Sequence, residues 1–200
     1  MEAVDAEQVT MLREVLAATG WLERTGEFGS ALRTSARTPG GLLLVGTPAG
    51  DPWHMAAHLD DESRLGGLPG LSPTLVRWSP PPGAPSHLAV GLERLESAGR
   101  GETLFVVAED EAPVPLLERV DDARRTGAVV LALEGGDRDL RGLAHEALTV
   151  PAGEGLITFD GAQHLVSAAA RDAAPRSGGP RGLRGRLARL LEAVSGPTVD

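Results

Sequence analysis

The sequence predicts an α/β fold: a three-layer α/β/α sandwich on a five-stranded parallel sheet. Three observations carry the prediction. Thr103–Ala108 is an unbroken run of β-branched and apolar residues, too short for a helix and without polar alternation, as expected of a strand covered on both faces. Residues 129–133, Val-Val-Leu-Ala-Leu, form a second such run. Between them Leu116, Leu117, Val120 and Ala123 recur at helical spacing opposite Glu118, Arg119, Asp121, Asp122 and Arg124, and Gly127 can close that helix. Strand, helix, strand in about thirty residues is a right-handed βαβ unit, which makes the two strands parallel.

Taken in order, residues 7–19 place Val9, Leu12, Val15 and Leu16 at three- and four-residue spacing, an amphipathic helix ended by Gly20. A second helix is expected over 21–37, with Trp21, Leu22, Phe28 and Leu32 inward. Pro39 and Gly40 turn the chain into the apolar run 41–46, the first buried strand and, in this reading, the centre of the sheet. A loop over 47–52 leads to a helix over 53–65, with Asp51 as cap and Pro52 in its first turn. The Gly/Pro-rich stretch 66–73 reads as loop and 74–78 as a strand. Ser86 is placed as the cap of a helix that carries Leu88, Val90, Leu92 and Leu95 and ends near Gly99.

Beyond Glu109, Asp110, Glu111 and Pro113, whose acids suit the positive end of a helix, the βαβ helix and second strand follow. Then come a short helix over 139–147, a fifth strand at 148–150 and a helix over 160–170 bearing Gln163 and His164. Buried positions should include Leu43, Val45, Leu75, Leu104, Val106, Val130 and Leu131, with a crevice beyond the strand ends at Val45 and Val107, where α/β sheets bind ligands.

Two hundred residues with 42% hydrophobic content suffice for one domain with a core. The absence of Cys removes disulfides, thiol nucleophiles and thiolate ligands, leaving His and carboxylates as metal donors. A net charge of -9 argues against nucleic acid as a partner. Neither a secretory leader nor an apolar run near the roughly 20 residues of a membrane span is visible, so a cytoplasmic location is expected and a membrane is not. The domain is expected to cover 1–170, followed by a flexible linker over 171–180 and a basic amphipathic helix and tail over 181–200. Residues 171–200 hold six Arg against three acids, a net +3, which leaves -12 for the rest of the -9 total. Leu183, Leu187, Leu190, Leu191 and Val194 share one face of that helix, which can dock on the acidic body or a dimer mate, on a partner, or on an anionic membrane. Docking on the protein itself is the preferred reading.

The alternation of short strands and helices after a two-helix N-terminus resembles the sugar isomerase (SIS) domain family, in particular its small phosphoheptose isomerase-like members. The best-matching segment is 101–151: Gly101 to Val107, the helix ending Ala123-Arg124-Arg125-Thr126-Gly127-Ala128, the strand 129–133, and Leu140 to Ala144 leading to Leu148-Thr149-Val150-Pro151. The resemblance implies a flavodoxin-like strand order and a homodimer with its sites near the partner chain. It also implies a phosphate-binding Ser/Thr-rich loop after the 103–108 strand. This chain has Glu109-Asp110-Glu111-Ala112-Pro113 there, three carboxylates that repel a phosphate dianion and a proline that removes an amide donor.

Two groups of residues carry candidate chemistry. The ligand-binding set is Gly46, Thr47 and Gly50 of the first loop, Ser86, and Glu109, Asp110 and Glu111. The metal set begins with His54 and His58, four apart on a predicted helix, so that both rings can reach one ion. The resemblance adds His164, with Gln163, from the last helix; it also puts a Glu where this chain has His58. His87 and His145 read as structural, and no dinucleotide fingerprint or nucleophile elbow is present. The expectation is therefore a divergent SIS-like protein that binds a carbohydrate derivative (sugar or sugar phosphate) or a protein partner, regulatory and non-catalytic, without a cofactor unless the histidines hold zinc. The alternative is a metal-assisted sugar-phosphate isomerase using His54, His58 and His164.

Overall fold

The structure, a computed structural model, describes residues 19–85, 89–151 and 157–172. Most of the expected helix over 7–19, Ser86, His87, residues 173–180 of the expected linker and the tail helix lie outside these residues, while Arg171 and Asp172, also expected in the linker, are helical. The elements are α1 (Trp21–Ser35), β1 (Leu42–Val45), α2 (Trp53–Gly66), β2 (Thr74–Val76), α3 (Glu93–Glu96), β3 (Thr103–Ala108), α4 (Val114–Arg125), β4 (Val129–Glu134), α5 (Arg138–Leu143), β5 (Glu146–Thr149) and α6 (Phe159–Asp172), with one 3-10 turn at Pro69–Leu71.

All pairings are parallel, in the order β2-β1-β3-β4-β5. The centre is therefore β3 and not β1. The crossover through α2 carries the chain outward from β1 to β2, and the return lands on the other side of β1, so the longer β3 is flanked on both edges. That reversal between β1 and β3 leaves an open crevice at their carboxyl ends.

Strand alternation builds the two sides of the core. Leu42, Leu44, Phe105, Val107, Leu131 and Leu133 face α1, α2 and α6, while Leu43, Val45, Leu104, Val106, Val130 and Ala132 face Leu95, α4 and α5. Each fully buried side chain of this kind contributes about 1.5 to 3 kcal/mol. On the first side α1 and α6 touch backbone to backbone: a Cβ added at Gly29 would lie 2.6 Å from Ala169 Cβ.

Four local expectations are corrected. Asp51 does not cap α2, whose N-cap is Pro52; its carboxylate instead meets Arg77 Nη1 at 2.8 Å, a charge-assisted bond stronger than a cap to a neutral amide. The helix expected through Val90 shrinks to the single turn α3, because 89–91 runs beside β2: Arg77 N–H donates to Val90 O at 2.9 Å, and Arg77 bridges Gly91 in parallel. The helix expected over 139–147 stops at Leu143, since Glu146–Thr149 is drawn out to pair with β4. Leu75, on the edge strand β2, is only half-buried.

Candidate functional site

Helix α2 starts directly after the β1 loop, so its first turns stand at the crevice mouth. His54 and His58 follow one another by one turn and both face α6, which supplies His164. The Nε2 atoms of His54 and His58 are 3.1 Å apart, and the His164 ring lies 4.2 Å from His58 and 5.0 Å from His54, centroid to centroid. The three residues offer ring nitrogens all within 4.8 Å of one another.

Asp160, one turn before His164, sits between the rings. Its Oδ1 is 3.4 Å from His54 Nδ1 and its Oδ2 is 3.5 Å from His164 Nε2. Burial, then the neighbouring His164 and His54, holds the His58 imidazole below its ordinary pKa; burial also lowers His164, against the pull of Asp160. Burial thus favours the neutral form of both rings, the form a metal ligand requires.

The donor set fits a divalent ion. With Zn–N bonds of 2.0–2.1 Å, two imidazole nitrogens of a tetrahedral site stand about 3.3 Å apart, close to the His54–His58 separation. The Asp160 carboxylate stands at the far nitrogen of His54, opposite Nε2, the placement common behind metal-bound histidines. Asp160 escaped the sequence reading, although its four-residue spacing to His164 was the available signal.

His54 also lines a cavity of about 310 Å³ at the β1/β3 crevice, large enough for a small ligand. Of the expected ligand positions, Thr47, Gly50, Glu109 and Asp110 line it, together with Gln163; Asp51, Trp53 and Asp160 line it as well and were not anticipated. Gly46 lines a second cavity of about 260 Å³ on the other side of the loop, with Arg77 and Trp78, whose indole N–H donates to Gly46 O at 2.8 Å. Glu111 is exposed and is not among the residues lining either cavity, and Ser86 lies outside the described residues.

The acidic loop is fixed from below. Gly135 N–H donates to Ala108 O, and Asp137 accepts from Ala112 N–H at 2.8 Å while capping α5 through Asp139 and Leu140 N–H. None of the loop acids caps α4, whose N-cap is Pro113 with no side-chain bond. Beneath lies Glu134, wholly buried at the end of β4, accepting from Gly136 N–H, Thr149 Oγ1 and Arg141 Nε. His145 is structural: its Nδ1 accepts from Val130 N–H at 3.0 Å.

No protein-family model and no curated protein matches the chain. Solved structures do. A protein from Silicibacter pomeroyi assigned as a phosphosugar isomerase superposes with a TM-score of 0.55 at 19% identity, over 96% of this chain and 55% of its own. A protein from Salmonella typhimurium LT2 assigned as sugar-binding gives 0.51 at 18%, over 95% of this chain and 53% of its own. The chain thus spans about half the length of these two proteins. With its parallel sheet, strand order and switch-point crevice, it has the fold of the sugar isomerase (SIS) domain.

Proposed function

We propose that the chain binds a carbohydrate derivative in the β1/β3 crevice, beside a divalent-metal centre formed by His54, His58 and His164, as a regulatory domain without turnover. The observation that carries this reading is the convergence of three imidazoles from two helices at the rim of the cavity that His54 lines. The carbohydrate half draws on the fold and on the names of the two similar proteins. A divalent ion held there would supply a fixed positive charge for sugar oxygens and polarise a sugar carbonyl.

The chain's own groups do the rest. Asp160 orients His54, and Asp51, Glu109 and Asp110 offer acceptors to hydroxyls. The same carboxylates oppose a phosphate in the cavity, and no arginine is among the described residues that line it. By analogy with SIS proteins the working unit is a homodimer, to be checked by light scattering.

A second reading, a metal-assisted sugar-phosphate isomerase, is favoured by one observation. The carboxylates of Glu109, Asp110 and Asp160 line the cavity beside the imidazoles and offer a base next to a sugar carbonyl. Metal analysis, calorimetry with sugars, and incorporation of solvent deuterium next to the sugar carbonyl separate the two. The proposal expects one divalent ion per chain, lost in His54→Ala, and sugar binding without deuterium uptake. Deuterium uptake would establish the isomerase, and a protein without stoichiometric metal would remove the centre.

A further inference from the structure

We infer that Trp53 is the stacking surface for a sugar ring in the crevice, and that this ring carries no phosphate where it meets Glu109 and Asp110. The inference rests on the carbohydrate-binding reading above and names its ligand class.

Trp21 is buried in the core, and Trp78 is half-buried with its indole N–H bonded to Gly46 O. Trp53 is 60% exposed and lines the cavity. It is the first residue of α2, and its indole lies 5.3 Å from the His54 imidazole at 33°, so the ring is braced at the rim. A large aromatic surface left in water is a favourable contact awaiting an apolar partner. The other lining groups decide what that partner is. Asp51, Glu109 and Asp110 are acceptors, and no arginine is among the described residues that line the cavity. A pyranose presents an apolar C–H face and a rim of hydroxyl donors, which matches an indole flanked by carboxylates. A phosphate ester on that rim would set a dianion against like charges.

The test uses the protein as purified, with calorimetry and tryptophan fluorescence to follow glucose and N-acetylglucosamine, each beside its 6-phosphate. The parent sugars should bind at least as tightly as the phosphates. Trp53→Ala should weaken them by about tenfold or more, Trp53→Phe should recover most of that loss, and metal content should not change. Trp53→Ala binding as well as the parent protein would overturn the inference and leave the carbohydrate reading standing. So would a phosphate preferred by more than about tenfold, or a Trp53→Ala variant that loses only its dimer. If no sugar binds the parent protein, the carbohydrate reading falls and the inference with it.

Discussion

Asp160 lies 3.4 Å from His54 Nδ1, on the side of the ring away from His58, whose Nε2 is 3.1 Å from His54 Nε2. One imidazole thus joins a carboxylate on α6 to a second imidazole on its own helix. Asp160→Asn should lower divalent-metal affinity by about 10- to 100-fold, because the amide no longer fixes which nitrogen of His54 carries the proton. Competition against a chromophoric chelator measures this. Unchanged affinity would show that Asp160 does not orient His54.

Stability of the metal-free protein should depend on the histidines at mildly acid pH. Well above about pH 6.5 both His58 and His164 are neutral in folded and unfolded chains and contribute no pH dependence. As pH falls through that value the unfolded chain takes up protons first, because burial lowers both folded-state pKa values, so stability is lost until the folded rings also protonate. His58→Gln should make denaturation midpoints flatter between pH 7 and 5. An equally steep loss in this variant would place the sensitive group elsewhere.

Glu134 should be among the most sensitive polar positions. Glu134→Ala would leave the Gly136 amide, the Thr149 hydroxyl and the Arg141 guanidinium without their shared acceptor, at a cost of about 2 to 4 kcal/mol in urea unfolding. Glu134→Gln keeps an acceptor oxygen and should cost about half as much. A variant within about 0.5 kcal/mol of the parent would mean that water replaces the carboxylate.

Gly46→Ala tests whether the β1 loop must pass so close to itself. The added methyl would lie 1.9 Å from Gly50 O and 2.6 Å from Pro52 Cδ, so the loop has to move. A loss of about 1 to 3 kcal/mol is expected, with weaker ligand binding, because the loop lines both cavities. Unfolding together with sugar titration reads both effects.

The sheet was legible because its buried strands are unbroken apolar runs, and the βαβ unit because Leu116, Val120 and Ala123 mark one helix face. Which strand is central was not, since burial makes β1 and β3 look alike; the flavodoxin-like order came from the family resemblance and is the order observed. Val90 and Leu92 fit strand alternation as well as helix spacing with Leu95, and only the hydrogen bond from Arg77 to Val90 decides between them. The pairing of His54 and His58 follows from spacing alone. The approach of His164 needed α6 to dock beside α2, which local sequence does not encode. Glu134 fell outside the expected strand 129–133, and its partners Arg141 and Thr149 arrive only later in the chain.

The contribution of His164 by α6 has a temporal side. A nascent chain released from the ribosome as far as β5 already contains the whole sheet and two of the three imidazoles, yet α1 still lacks the helix that packs at Gly29. The third ring arrives only when α6 seats itself, so capture of an ion by all three would lock a finished domain and pass over a partial one.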